Sequence, residues 1–377
     1  MKLRPLFFVL MIVLPNCTTS TTPSADTVPR LTPTATTLPA TSTTALATAT
    51  IPLSTVTSTL SPPTATTVVA LPSLTPTAAS PTVAPSTIAL NVEVGWQLGS
   101  PMPSPARSEL PAVTLDGLIY VPGGFGDERR LDAYDPLDDA WQTLAPMPDG
   151  RHHLMATAFN DSLYIIGGAI AGSWNPGDTV WRYDPPANTW TELPPMPESR
   201  LAGAAVTLDD KIYVVGGAGG SEALLEWMPD SGGWRSLSGP GQPREHVNAV
   251  AFQNELWVIG GRWQGTGELA TVEIFDPTIE TWREGPSMNV ARAGFAAAVV
   301  RDHLFVAGGE VIINGQETLG LVEVLAPDSD TWQFAPELPV PMHGVGGAAF
   351  EGRFVLLGGS IRAGAIENEG QVQIYQP

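Results

Sequence analysis

The sequence predicts an all-β fold in which six repeated units of four short strands pack radially, and three observations carry that expectation. Glycine pairs at 123-124, 167-168, 216-217, 260-261, 308-309 and 358-359 recur every 44 to 50 residues, a period that means blades or solenoid units. Six tryptophans keep step with them: Trp96, Trp141, Trp190, Trp234, Trp282 and Trp332 each precede the next pair by 26 residues, or 27 in the first case. Each glycine pair ends an apolar run that a turn pair introduces, as in Asp209-Asp210 followed by Ile212 to Gly217.

Before the repeats the chain has a different character. Lys2 and Arg4 precede the apolar run Leu6 to Leu14, whose nine residues suit the core of an export signal and fall short of the roughly 20 that cross a membrane. Cys17, the single cysteine, follows three residues later. The arrangement resembles a bacterial lipoprotein signal, although Pro15 and Asn16 stand where that pattern has small residues. The resemblance implies that Cys17 is lipidated and that the protein is secreted across the cytoplasmic membrane and held on its outer face. With one cysteine no intrachain disulfide forms. Residues 18–90 hold 33 Ser/Thr and 11 Pro in 73 positions, with no aromatic, no Gly and only Asp26 and Arg30 charged. Such a tract buries too little apolar surface to offset its ordering entropy, so it reads as a disordered stalk, at most ~240 Å long at about 3.3 Å per residue. The expected organisation is therefore a signal over 1–17, a linker over 18–90 and the repeat domain over 91–377.

Within each unit an Ala/Gly-rich segment such as Gly203 to Leu208 forms the first strand, because innermost strands of a radial array crowd toward the axis. Two-residue turns (Asp116-Gly117, Asn160-Asp161, Asp209-Asp210, Gln253-Asn254, Arg301-Asp302, Glu351-Gly352) lead to the second strand, which ends in the glycines. A third strand ends at Tyr134, Tyr183, Trp227, Phe275 or Leu325, and seven residues later the Trp opens a fourth. The sixth unit stops two residues after Tyr375, so the segment around Trp96 is expected to supply its missing outer strand and leave no open edge.

The glycine pair after an apolar strand, the aromatic-Asp-Pro step and the spaced Trp resemble the kelch repeat family over residues 92–377. That resemblance implies a six-bladed β-propeller. It leaves function open, since kelch rings include scaffolds, carbohydrate-binding or carbohydrate-converting proteins and a copper oxidase.

Charge excludes one class of partner. The 38 acids and 18 bases give a net charge of -20, and a surface this negative disfavours nucleic acid and anionic headgroups. Loop lengths point to a working face. From the second Gly to the third-strand residue the spacing runs 10, 15, 10, 14, 16 and 16, while the opposite, hairpin face keeps constant turns. The long loops 169–178 and 262–268 carry Trp174, Arg262 and Trp263, readable as stacking platforms or as staples tucked under a loop. Sixteen residues before each first Gly stand Arg107, Arg151, Arg200, Arg244 and Arg292, with Met342 in the sixth unit. They could form a cationic ring at the mouth or tie blades together. Two positions further on are Glu109, His153, Ala202, His246, Gly294 and Gly344, which strand alternation puts on the arginines' side. His153, His246 and His343 come from alternate units, and three imidazoles converging on the axis could hold a metal, but His343 is one residue out of register and would turn to the other side unless a bulge corrects it.

Candidate ligand contacts are thus Glu109, His153, His246, His343, Arg151, Arg244, Arg292 and the loop residues above. No metal, cofactor or catalytic residue is assigned. The expected role is a monomeric, surface-tethered module for an extracellular protein or glycan. The alternative is a carbohydrate-active enzyme of the sialic-acid mutarotase or epimerase type, needing an Arg for the carboxylate and Glu or His as acid/base. Copper oxidase chemistry is excluded by the lack of cysteine after residue 17.

Overall fold

The computed structural model describes residues 94–230, 233–313 and 315–377. Cys17, the signal and the stalk lie outside the described residues. Among those described no helix forms, and six four-stranded antiparallel sheets surround one axis as a six-bladed β-propeller. In blade one the strands run outward in chain order: Val113–Leu115, Leu118–Pro122, Leu131–Asp135 and Ala140–Thr143. All six inner hairpins are two-residue loops, for instance Leu115 opposite Leu118 and Phe350 opposite Arg353. Asn160 and Asp161, with φ of 43° and 55°, show why polar turn formers stand there: a primed turn needs left-handed residues and matches the twist of the strands.

Blade six is built from both ends of the repeat domain. Gly346–Phe350, Arg353–Leu357 and Val372–Gln376 are completed by Gly95–Gly99, which pairs residue for residue with the chain's last strand, Trp96 opposite Tyr375. Most of the hydrophobic core is distributed as six large buried clusters, one between each pair of neighbouring blades, including Phe350 and Val355 of blade six against Ile119 and Val121 of blade one, and a seventh, small cluster joins Ala169 to Leu201 and Ala202. Stability therefore depends on all six interfaces closing together.

The repeated tryptophans serve these interfaces. Five of them stand opposite an aromatic of the third strand, Trp141 opposite Tyr134 with ring centroids 5.0 Å apart, Trp190 opposite Tyr183, Trp234 opposite Trp227, Trp282 opposite Phe275 and Trp96 opposite Tyr375, while Trp332 shares a buried cluster with Leu325. In five of the six the indole N–H reaches back to a carbonyl of the preceding connection, Trp141 to Ser100, Trp190 to Ala145, Trp282 to Ser238, Trp332 to Pro286 and Trp96 to Pro336, at 2.7 to 3.0 Å, while Trp234 Nε1 makes no such bond. A fixed spacing of Trp follows, since the bond forms only where blade and connection meet.

Candidate functional site

The arginines do not form a ring at the mouth. Arg107, Arg151, Arg200, Arg244 and Arg292 are all but fully buried within the blades. Four of them donate to the carbonyl of the first glycine of the pair, as Arg107 does to Gly123 at 2.7 Å and Arg292 to Gly308 at 2.9 Å. Each charge then finds a local partner. Arg107 meets Asp132 at 2.7 Å, Arg244 meets Glu273 at 2.5 Å and Arg292 meets Glu323 at 2.6 Å. Arg151 contacts Asp149 at 3.0 Å and lies over the ring of Trp181, and Arg200 reaches Glu198 at 3.6 Å. Arg151, Arg244 and Arg292, expected as candidate ligand contacts, are thus placed as blade ties, because a fully buried guanidinium must spend its donors inside.

Strand alternation also fails at the neighbouring position, for a local reason. Glu109, His153, Ala202, His246, Gly294 and Gly344 all have left-handed backbones, with φ between 48° and 62°. A residue there breaks the pleat, so arginine and Glu/His do not share one side. The same turn aims backbone N–H groups around the axis: Glu109 N to Gly344 O, His153 N to Glu109 O, Ala202 N to His153 O, Gly294 N to His246 O and Gly344 N to Gly294 O, at 2.7 to 3.0 Å. Glycine takes this conformation at little cost, whereas Glu and His give up stability of about 1 kcal/mol each. Side chains kept at that cost are candidates for function.

Those side chains meet over the channel. His153 Nε2 lies 2.9 Å from His246 Nε2, and Glu109 Oε2 lies 3.3 Å from the first and 3.9 Å from the second. His343, though out of register, joins them: its Nδ1 is 3.4 Å from Glu109 and 3.3 Å from Glu310. It belongs to a second tier of backbone pairing, where the residue after each glycine pair bonds the chain about 17 positions earlier, His343 with Ser360 and Glu245 with Arg262. Arg262 from that tier is held by Glu245 at 2.7 Å and Glu310 at 2.5 Å, and Glu245 also bonds His246 Nδ1. Beneath lies a channel cavity of about 440 Å³ lined by the small residues of all six inner strands.

Electrostatics divide the cluster. Burial works to raise the Glu109 carboxyl, but His153, His343 and His246 outweigh it and hold it well below the usual carboxylate range. Burial lowers His153 to about 3, with Glu109 opposing only in part. Burial also works against a charge on His343, yet Glu109 and Glu310 raise it above the ordinary imidazole value. Arg262 is likewise raised, because Glu245 and Glu310 overcome its burial.

Beside this cluster stands an aromatic wall. Trp174 is 56% exposed, with its ring 5.1 Å from both His152 and His153 and 5.7 Å from Phe125, which stacks on His152 at 4.0 Å. Trp263 is half-buried in a tight hairpin opposite Gly267. The two tryptophans therefore differ: Trp174 presents a face to solvent and Trp263 is partly covered. The loops on this side are linked across blades, Ile312 N donating to Glu268 and Gly364 N to Glu310, at 2.9 and 2.7 Å. Phe125, His152 and Glu310 also belong to the site, though none of them is among the residues singled out from the sequence. For Phe125 and Glu310 the signal lies in the residue after each glycine pair, which runs Phe125, Ala169, Ala218, Arg262, Glu310 and Ser360 and so varies where the scaffold is constant.

Comparison with known proteins agrees with this architecture. A family model described as Kelch motif matches residues 106–148, 150–197 and 243–289. Kelch-like protein 23 of Homo sapiens is 26% identical over 219 residues, 57% of this chain and 30% of that one. Kelch-like protein terF of Aspergillus terreus is 29% identical over 227 residues, 57% of this chain and 41% of its own. Kelch repeat and BTB domain-containing protein 13 of Homo sapiens is 31% identical over 193 residues, 49% of this chain and 31% of its own. The match thus spans less than half the length of each of these relatives. The solved structure of YjhT superposes with a TM-score of 0.64 at 17% identity, covering 73% of this chain and 96% of that one, a likeness of fold. Kelch motifs on the propeller and kelch proteins among its relatives support placing this chain in the kelch-repeat family.

Proposed function

We propose that the propeller is an extracytoplasmic binding module for a protein or glycan, gripped on the loop face beside the channel mouth. A kelch propeller supports a protein-binding role in general, and the observation that carries the finer reading is Trp174. An indole more than half exposed over two imidazoles and a phenyl ring offers a rigid stacking surface for a sugar ring or an apolar side chain. Trp174→Ala is expected to keep the wild-type melting temperature and to lose 2 kcal/mol or more of binding, about 30-fold, toward whatever a glycan array or extracellular-protein screen shows the wild type to retain. Early unfolding of the variant, or unchanged retention, would contradict the assignment.

The tether belongs to the same proposal and rests on the export-like run and Cys17. Wild type is expected in the detergent phase on phase partitioning and Cys17→Ala in the aqueous phase, and equal partitioning would remove the anchor.

The mutarotase-like alternative draws on a different observation. Glu109 and His153 supply an acid/base pair in contact at 3.3 Å. Its weakness is the carboxylate grip, since Arg262 at this mouth is already held by two glutamates. The binding module is therefore the reading adopted.

A further inference from the structure

We propose that Glu109, His153 and His246 hold one divalent first-row transition-metal ion at the loop-face end of the channel, beside the surface at Trp174, whose ring lies 5.1 Å from His153. The three donor atoms lie within 4.8 Å of one another.

Hydrogen-bond directions place a hydrogen on the outward-facing Nδ1 of both imidazoles and turn their Nε2 atoms toward one another. A carbonyl oxygen only accepts, so the 3.0 Å contact between His152 Nε2 and Ser173 O places a hydrogen on that nitrogen. The neutral His152 ring then has a bare Nδ1, which sits 2.6 Å from His153 Nδ1. His153 Nδ1 must donate, and its Nε2 carries a lone pair. In His246, Nδ1 faces the Glu245 carboxylate, which only accepts, so Nδ1 carries a hydrogen and Nε2 is the nitrogen turned toward His153. The two Nε2 atoms face each other across 2.9 Å, with Glu109 Oε2 3.3 Å from that of His153. Three atoms of metal-ligating type thus converge, and a cation at their centre is within reach of all of them. Arg262 Nη2 donates toward the His246 ring, 3.2 Å from Nδ1 and 3.1 Å from Nε2, so an ion competes with this guanidinium for one of the three ligand atoms.

The dimensions fit. With sides of 2.9, 3.3 and 3.9 Å the donor triangle encloses a point about 2.0 Å from every corner, and metal bonds to imidazole nitrogen and carboxylate oxygen run about 2.0–2.2 Å. The surroundings fit as well. Glu245 behind His246 and His152 behind His153 are the outer partners that orient metal-binding imidazoles and set their tautomer. Charge points the same way, since Glu109, Glu245 and Glu310 face a single guanidinium, Arg262, with His343 between Glu109 and Glu310. A dication offsets that excess in a place where unpaired charge is costly. Two imidazoles and one carboxylate select zinc, iron, cobalt or nickel over calcium or magnesium, and the cavity beneath leaves room for a further ligand.

The test uses the full chain, stripped with chelator and titrated with Zn²⁺ by calorimetry and with Co²⁺ by visible absorption. One ion per chain is expected, with cobalt ligand-field bands and a metal-dependent rise in melting temperature. His153→Gly and His246→Gly install the residue that blades five and six carry at this position, Gly294 and Gly344, so the fold is retained. Each should weaken binding at least 100-fold and abolish the cobalt bands, and Glu245→Gln should weaken it about 10- to 100-fold through the outer shell. Glu109→Gln keeps the size of the side chain and decides the matter by the same readouts if a glycine variant fails to fold. Absence of calorimetric and cobalt signals in the wild type would mean that a proton, not a metal, bridges the imidazoles. Stoichiometric binding retained by both glycine variants would place the ion elsewhere, and either result overturns the proposal.

Discussion

A chain beginning at residue 100 is expected to melt far below the wild type, whereas one beginning at residue 91 should melt almost unchanged. The shorter chain loses the strand Gly95–Gly99, which supplies the outer edge of blade six. With it goes Trp96, whose ring lies 4.9 Å from Tyr375 and whose indole N–H donates to Pro336 O at 2.7 Å, a tie to the connection after blade five. Loss of a large aromatic costs about 3 to 5 kcal/mol when buried and toward the lower end here, where Trp96 is half-buried. At about 2 to 4 °C per kcal/mol for a domain of this size, that alone lowers the melting point by roughly 10 °C. The unpaired edge left on the last strand adds to it and invites association. Differential scanning calorimetry of the two truncations decides this. Equal transitions would mean that the ring closes without the N-terminal strand.

A second large effect is expected from the buried pair Arg292–Glu323, both fully inaccessible and 2.6 Å apart. Arg292→Met removes the donors from Gly308 O, Leu321 O and Glu323 and leaves a buried carboxylate without its counter-charge, held only by Asn289 N and Val290 N, at a cost of about 3 to 5 kcal/mol. Blade six shows how the loss can be recovered. Met342 replaces the arginine there, and Gln373 stands where blades one, four and five have Asp132, Glu273 and Glu323. Its amide accepts from Val340 N at 2.9 Å and donates to Val340 O at 3.0 Å. The double variant Arg292→Met/Glu323→Gln copies that arrangement and should be closer to wild type than Arg292→Met alone. Urea denaturation of the cycle measures the coupling, and simple additivity would show that the two groups act separately.

The same pairing explains what the sequence discloses and what it hides. Period, strand order, turn pairs and the closing role of Trp96 are all legible, because each repeats in register and answers to local physics: primed turns, crowded inner strands and an indole that must reach a neighbouring connection. The arginine ties were harder to separate from a ligand ring. Their acids stand in the third strand in blades one, four and five but two residues before the arginine in blades two and three, where Asp149 and Glu198 serve. The mouth was partly legible. Glu109, His153 and His246 break the repeat and do converge, and His343 reaches them although alternation argued against it. Alternation misleads there because six consecutive blades place a left-handed residue at that position, and a residue's φ is not visible in its identity when Glu, His and Ala occupy it. Glu310 and Phe125 escape notice for another reason: they are neighbours of the glycine pair, and their importance comes from a second tier of pairing that only the folded ring creates.

The claim that the loop face is the working face is tested most directly by hydrogen-exchange footprinting of the propeller with the retained protein or glycan. Protection is expected in loops 125–130, 169–178, 262–268 and 360–367 around Trp174, with the hairpin turns at 116–117, 160–161, 209–210 and 253–254 exchanging as in the free chain. Protection confined to those hairpin turns would put the ligand on the opposite side of the disc and contradict the account.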